Sequence, residues 1–258
     1  MEHRFSERFQ RRDDETKGAG KALGFFSAKG GCGATTVICH VAAALGLQKQ
    51  KVLLMDLDLD AGMVGFITKT SQVHSILDAV TNLDIHGWKA LVSKGMPGVE
   101  IMASPLALAS ETRPTGEQVR HLLAFVKPYY DWTLMDLGRS LTPISMAALE
   151  ECDEACLVTT LEVPALHQSK QITQTLLDRG FGKHKIKLIL NRAPKRLDAT
   201  GSELERMLGL PIFFMLPNDY PELYERYAEG CMLTRNSELG REIDRLAWKL
   251  AGLEKLVA

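Results

Sequence analysis

A cluster of glycine and hydroxyl residues near the N-terminus has the composition of an anion-binding loop. The segment reads Lys29-Gly30-Gly31-Cys32-Gly33-Ala34-Thr35-Thr36. Three glycines in four positions let the backbone turn tightly and direct its N–H groups inward, and a helix that follows adds the positive end of its dipole. Thr35 is placed to give its hydroxyl to Mg²⁺. The pattern predicts a phosphate site, and the alternative is a strand-to-helix turn without a ligand.

Carboxylates follow two apolar segments further along the chain. Asp56, Asp58 and Asp60 alternate directly after one apolar run, and Asp136 ends another. In a parallel sheet the carboxyl ends of the strands face the ligand crevice. Alternation places Asp56 and Asp58 on the same side of an extended chain. The spacing predicts an acidic group beside the phosphate site, and the alternative is a solvated acidic loop, above all for Asp60.

Two further polar segments end apolar runs late in the chain. Asn191 follows Leu188–Leu190, and its amide can pair with both the amino group and a ring nitrogen of adenine. Pro217 and Asn218 follow the apolar run that begins at Ile212. For the second segment a plain turn is the alternative, because Pro, Asn and Asp are common turn residues.

The elements that must position these residues alternate between short apolar runs and amphipathic stretches. The predicted strands are Ala22–Ser27, Val52–Asp56, Val99–Ala103, Trp132–Asp136, Ala155–Thr160, Ile186–Leu190 and Ile212–Met215. The predicted helices are Thr35–Leu47, Glu117–Val126, Ile144–Glu150, Ala165–Leu177, Ser202–Met207, Pro221–Ala228 and Ser237–Leu253. Continuous apolar strands separated by helices predict an α/β fold with a single doubly wound, mainly parallel sheet and helices on both faces. The apolar stripe of the last helix, from Leu239 to Val257, favours packing on the core or on a partner.

Composition excludes several functional classes. The 258 residues carry 31 Lys and Arg against 32 Asp and Glu, a formal charge of -1 that gives no strong signal for nucleic acid or anionic membrane. No apolar run approaches the ~20 residues of a bilayer span, so any membrane contact is expected to be peripheral. The start of the chain has no apolar stretch like that of a signal peptide, and the five cysteines therefore predict reduced thiols in a soluble, cytoplasmic protein.

The domain organisation follows from the same composition. Residues 1–21 are charged and poor in large apolar side chains, which predicts a flexible arm. The predicted strands fill the remaining length, so residues 22–258 are interpreted as one domain.

The loop from Lys29 to Thr36 resembles the deviant phosphate loop of the MinD/ParA class of P-loop ATPases, which usually reads K-G-G-x-G-K-[ST]-[ST]. The resemblance implies a P-loop fold that binds ATP with Mg²⁺ and forms an ATP-dependent homodimer. Lys29 matches the lysine that in this class reaches across the dimer to the partner's nucleotide. Position 34 departs from the pattern, because Ala34 stands where the class has its phosphate-binding lysine. Loss of that charge predicts weak ATP hydrolysis at best, while the backbone loop and Mg²⁺ preserve binding.

The resemblance also implies roles for the other site residues. Catalysis falls to Asp58, which orients the attacking water, together with Lys29. The nucleotide is held by Lys29, Gly30, Gly31, Cys32, Gly33, Ala34, Thr35, Thr36, Gly138, Asn191, Pro217 and Asn218. Mg²⁺ is held by Thr35, Asp56 and Asp136. Arg139, next to Gly138, is either a sensor of phosphate charge or an exposed surface arginine.

Within the class, the chain looks similar to the CpaE/TadZ-like branch that localises pilus assembly. That branch tolerates Gly33-Ala34-Thr35-Thr36, and it shares Asp136 with Arg139-Ser140-Leu141 after it. The resemblance implies a dimerising positioning protein whose partners are pilus or secretion machinery proteins or a polar landmark. Localisation would then be cytoplasmic, at a cell pole or at the inner face of the membrane through partners. Two alternatives stay open: a non-hydrolysing dimeric scaffold, and a flagellar-placement or partitioning ATPase of the same class.

Overall fold

The computed structural model describes residues 20–71, 74–80, 84–105, 113–196 and 201–253. The predicted arm, residues 1–21, lies outside this part of the chain except for its last two residues, and it stays a prediction. Among the described residues, no helix is long and apolar enough to cross a membrane.

The apolar runs of the sequence form the strands of a single sheet. Its strands are β1 (Lys21–Ser27), β2 (Val52–Asp56), β3 (Ser93–Met96), β4 (Val99–Met102), β5 (Trp132–Asp136), β6 (Glu154–Thr159), β7 (Ile186–Ala193) and β8 (Ile212–Pro217). Their order across the sheet is β3-β4-β2-β5-β1-β6-β7-β8. Every neighbouring pair is parallel except β3 with β4. The predicted fold class is confirmed.

Helices connect the strands and cover both faces of the sheet. They are α1 (Ala34–Leu47), α2 (Val64–Ile67), α3 (Ile76–Ala79), α4 (Ile85–Leu91), α5 (Gly116–Val126), α6 (Pro143–Glu150), α7 (Val163–Asp178), α8 (Gly201–Leu208), α9 (Tyr220–Ala228) and α10 (Glu238–Leu250). Two short 3₁₀ turns, Lys127–Tyr129 and Lys183–Lys185, lead into strands. Hydroxyl side chains cap several N-termini, for example Thr115 at α5 and Ser237 at α10, and so satisfy backbone N–H groups that the helix leaves free.

The two faces of the sheet form two separate apolar layers. Phe25 and Phe26 are adjacent in β1 and both are buried, yet they belong to opposite layers because side chains alternate along a strand. The layer that contains Phe25 also contains Ile38 of α1 and Ile243 of α10. The last helix therefore packs on the core through the part of its predicted apolar stripe from Leu239 to Leu250, where the helix ends. Leu253 is exposed, and Val257 lies outside the described residues.

The sequence prediction differs from the structure at the edges of the sheet. The missed strand β3 is short and mostly polar, and it is held by antiparallel pairing with β4 rather than by an apolar pattern. The short helices α2, α3 and α4 were also missed, because one or two turns carry little periodicity. Strand β8 continues through Pro217, so this predicted loop residue ends a strand instead.

Candidate functional site

The carboxyl ends of the inner strands bring the predicted site residues to one edge of the sheet. The glycine loop leaves β1 and enters α1, and backbone hydrogen bonds fix its start to both neighbouring strands. Ser27 N donates to Gly138 O at 2.8 Å, and Ala28 N donates to Val158 O at 2.9 Å. Gly31 and Gly33 have φ values of 88° and 94°, a left-handed conformation that favours glycine. The loop geometry therefore follows from the glycine spacing.

Asn191 supports the loop from the end of β7. Its side-chain nitrogen donates to the carbonyl of Cys32 at 2.8 Å, and its oxygen accepts from the N–H of Arg192 at 2.9 Å. A Cβ atom at Gly33 would lie only 2.5 Å from this amide nitrogen. Asn191 is thus buried against the loop and uses both ends of its amide within the protein. The role of reading a base stays a prediction.

A cavity opens beside Gly33 between the loop and the last two strands. It is lined by Gly33, Thr36, Val37, Asn191, Arg192, Pro217, Asn218, Asp219, Tyr220, Leu223, Leu239 and Ile243. The two late segments predicted from the sequence, at Asn191 and at Pro217-Asn218, therefore meet the glycine loop in one place. Its lining combines apolar side chains, such as Val37 and Ile243, with polar ones, such as Asn191 and Asn218, a mixture that is common in small-molecule sites.

Asp56 and Asp136 form a buried pair at the ends of β2 and β5. They are register partners in adjacent parallel strands, and both are at most 1% exposed. Asp56 accepts hydrogen bonds from Asp58 N at 3.1 Å and Val64 N at 3.0 Å. Burial, together with the negative charge of Asp136, raises the pKa of Asp56. Burial likewise raises the pKa of Asp136, although the Thr35 hydroxyl and the Gly138 N–H oppose that shift.

Asp58 and Gly138 bring the loops after β2 and β5 into contact. One Asp58 oxygen accepts from the N–H groups of Asp60 and Ala61, at 3.2 and 3.1 Å. The other oxygen is so close to Gly138 that a Cβ atom there would lie 2.7 Å from it. Gly138 also has a φ of 68°, and its N–H donates to Asp136 at 3.0 Å. These residues, predicted separately, are thus joined by direct contacts at the ends of β2 and β5.

Comparison with known proteins defines the family. Residues 20–182 match a family model described as an AAA domain. The chain belongs to this family. Septum site-determining protein MinD of Thermotoga maritima is 23% identical over 242 residues, which cover 90% of this chain and 89% of that protein. A ParA family ATPase from Chlorobium tepidum superposes with a TM-score of 0.80 at 26% identity, covering 89% of this chain and 99% of that one.

A third relative was solved with a ligand. The septum site-determining protein MinD of Pyrococcus horikoshii, complexed with Mg-ADP, superposes with a TM-score of 0.75 at 22% identity, covering 93% of this chain and 99% of that chain. Together these matches make this AAA-domain protein a P-loop ATPase of the MinD/ParA class. The class implies a bound nucleotide with Mg²⁺.

The buried pair fits the metal that the class implies. Among the described residues, no three His, Cys, Asp or Glu side chains are grouped to hold a metal ion by themselves. Mg²⁺ usually takes one or two carboxylates together with substrate phosphates and water, and the pair Asp56 and Asp136 offers two carboxylates. One oxygen of Asp136 is buried without a hydrogen-bond partner in the part of the chain described, which is costly unless a cation satisfies it. Asp56, Asp136 and the Thr35 hydroxyl would hold such an ion, whose chemistry is to neutralise phosphate charge.

The glycine loop of this AAA-domain protein carries one lysine, Lys29, and has Ala34 where its class has a second lysine. Ala34 is 1% exposed and packs in the apolar layer with α1, so position 34 offers no cation. Lys29 is exposed and pairs with Glu162 at 2.5 Å, and that hydrogen bond raises the pKa of Lys29. Its ammonium group is thus held within its own subunit. The proposed reach across a dimer stays a prediction.

Three contacting residues were not predicted from the sequence. Glu162, which holds Lys29, follows β6 and could have been found by the strand-then-carboxylate pattern that singled out Asp56 and Asp136. Arg113 pairs with Asp60, but it is distant in sequence and carries no signal. His40 lies on the buried side of α1, where its residue type alone does not show a role.

His40 links the glycine-loop helix to the chain after α9. Its Nε2 accepts from Leu233 N at 3.0 Å, so the other ring nitrogen carries the proton and donates to Thr36 O at 2.8 Å. The ring stacks on Tyr227 with centroids 6.2 Å apart. Burial lowers the pKa of His40 to about 4. The imidazole is therefore a neutral connector between the first turns of α1 and the segment after α9.

Proposed function

We propose that the protein is a nucleotide-dependent positioning ATPase that binds ATP with Mg²⁺ and acts as a homodimer. The ATP-bound dimer positions or recruits an assembly at a cell pole, either a pilus or a secretion system. Septum site-determining and ParA family proteins are among its relatives, which supports a positioning or partitioning role. Asn191, Pro217 and Asn218 contact the base, and Asp58 orients the attacking water.

The observation that carries this proposal is the buried Asp56–Asp136 pair beside the glycine loop. Two buried carboxylates with raised pKa values destabilise a fold unless something compensates for their charge. A divalent cation that also binds phosphates would compensate for this charge. The glycine loop, which contains Thr35, supplies the cradle for those phosphates. A purely structural strand-to-helix turn has no need of this pair.

Loss of nucleotide binding on substitution of Gly33 tests the site. We expect Gly33→Val to abolish binding of a fluorescent ATP analogue with Mg²⁺, because the added side chain meets the Asn191 amide and closes the cradle. Gly180→Ala is the matched control, since Gly180 also has a positive φ of 83° but has no neighbour within 4 Å of its Cβ position. Undiminished binding by Gly33→Val would show that the loop is not the site.

Slow hydrolysis is the second part of the proposal, and it rests on Ala34. Without a lysine at position 34, one charge that stabilises the transferring phosphoryl group is missing. We expect turnover well below the roughly 1–100 s⁻¹ typical of kinases, and a gain in steady-state phosphate release for Ala34→Lys. A parent protein that already reaches such rates would contradict this part. No phosphate release in the parent would favour the alternative of a nucleotide-gated or constitutive scaffold.

The proposed pilus or secretion partner rests on the resemblance to the CpaE/TadZ-like branch. The match to a ParA family ATPase favours partitioning as the competing function. A pull-down from the native cell with and without ATP separates the two. Pilus or secretion proteins retained only with ATP support the first role. Retention of a DNA-bound partner instead supports partitioning.

A further inference from the structure

Two basic side chains flank the Gly30 end of the glycine loop, and the protein neutralises only one of them. Lys29 is bonded to Glu162. Arg139 is exposed, and among the described residues it makes no hydrogen bond or ion pair. Its charge is felt by Asp60, but that carboxylate is already bonded to Arg113. A third cation, Arg192, acts on Lys29 and Glu162 from the side of the cavity that Gly33 lines. Arg139 is therefore a cation that is free to meet a ligand where it contacts Gly30.

The guanidinium lies directly against the loop backbone. A Cβ atom at Gly30 would be 3.1 Å from a terminal nitrogen of Arg139 and 3.8 Å from its Cδ. Gly30 is not one of the glycines with a positive φ, so its backbone conformation does not require glycine. What the missing side chain provides is room for the arginine. The contact places a planar donor group over the segment whose N–H groups form the phosphate cradle.

The two ends of the loop face different parts of the site. Gly33 faces Asn191 and lines the cavity, whereas Gly30 faces Arg139, which directly follows Gly138 in the chain. A nucleotide with its base in the cavity would run its phosphates along the loop from Gly33 toward Gly30. Its terminal phosphate would then arrive at Arg139.

We propose that Arg139 binds the terminal phosphate of the nucleotide and supplies, within the same subunit, the positive charge that Ala34 cannot. A guanidinium presents paired N–H donors that match two phosphate oxygens, which makes arginine suited to this task. The side chain acts from the loop after β5, so it compensates for position 34 from a different element. This inference rests on the proposed nucleotide site.

Calorimetric titration with Mg-ATP and with Mg-ADP tests the assignment. We expect Arg139→Ala to weaken Mg-ATP binding by about tenfold or more, as loss of a hydrogen bond to a charged group predicts, and Mg-ADP binding much less. Arg139→Lys should be intermediate, because it keeps the charge and loses the paired donors. Arg179→Ala is the matched control, since Arg179 is exposed at the far end of α7.

The outcomes separate the two proposals. A parent protein that binds neither nucleotide overturns the proposed function. A parent that binds Mg-ATP, with Arg139→Ala equally tight, overturns the role of Arg139 alone. Equal losses for Mg-ATP and Mg-ADP also overturn it, since Arg139 would then support the loop and not the terminal phosphate. If Arg139→Lys binds Mg-ATP no more tightly than Arg139→Ala, the positive charge of Arg139 does not contribute to binding.

Discussion

Charged side chains occur in two settings at the carboxyl edge of this sheet. The inner pair, Asp56 and Asp136, is buried and consists of two like charges in adjacent strands. The outer pairs, Lys29–Glu162 and Asp60–Arg113, join opposite charges and are exposed. At this edge of the sheet, the repulsive pair is therefore buried and the two attractive pairs are exposed to solvent.

The difference shows where binding energy is available. Exposed ion pairs typically contribute about 0–1 kcal/mol, because water screens them and two long side chains must be ordered. Buried carboxylates, by contrast, carry a large desolvation penalty that a cation can remove. We infer that the inner pair couples folding to Mg-nucleotide binding, whereas the outer pairs can exchange partners at little cost.

The largest effect on stability is expected from neutralising the inner pair. A carboxyl whose folded pKa is raised contributes stability that is present below about pH 4 and is lost as the pH rises through the folded pKa. Asp136→Asn removes one charge and relieves Asp56. We expect it to raise the free energy of unfolding without ligand by a few kcal/mol at pH 8.5 and by far less at pH 5.

Urea unfolding at both pH values measures this, with and without Mg-ATP. The parent should gain stability from Mg-ATP and the variant should not. Asp178→Asn is the control, because Asp178 is exposed. An Asp136→Asn protein that is less stable than the parent at pH 8.5 would show that the inner pair is compensated within the fold.

The residues of the inner pair also show how far sequence reaches. Asp56 and Asp136 could be predicted because a parallel sheet places strand ends together and apolar runs mark the strands. The pairing of Asp56 with Asp136, and hence their repulsion, could not be predicted, because it depends on which strands are neighbours in the sheet. The same limit hid Arg113 and the role of Glu162: contacts across long stretches of sequence leave no local pattern. Ala34 is the opposite case, since its residue type alone revealed a missing charge.

A smaller effect is expected from His40, a buried group whose neutral form is fully hydrogen-bonded. Its folded pKa of about 4 lies below the unfolded value of about 6.5, so protonation favours the unfolded state. Its contribution is present above pH 6.5 and is lost as the pH falls toward 4, by about 3 kcal/mol in total. We expect His40→Gln to reduce this acid-side loss when unfolding is followed between pH 7 and pH 4.

His167→Gln is the matched control, since His167 is exposed on α7. It should leave the pH dependence of the parent unchanged. If His40→Gln and the parent lose stability in parallel below pH 6.5, another group is responsible for the acid side.

The smallest effect on folding is expected from the outer pair Lys29–Glu162. Both side chains are partly in water, at 38% and 53% exposure, so Lys29→Ala should leave the free energy of unfolding nearly unchanged. Lys127→Ala is a suitable control, because Lys127 forms a similar ion pair with Asp153 at 3.1 Å, away from the glycine loop.

The same variant should nevertheless weaken dimerisation. Closing two nucleotide sites against each other brings phosphate charges together, and Lys29 can leave Glu162 at little cost to offset that repulsion. We expect Lys29→Ala to reduce dimer formation with a non-hydrolysable ATP analogue by more than it reduces nucleotide binding to the monomer. Analytical ultracentrifugation and a binding titration measure the two quantities. An unchanged dimer in Lys29→Ala would leave the ammonium group with its own subunit. A parent dimer indifferent to nucleotide would instead favour the constitutive scaffold.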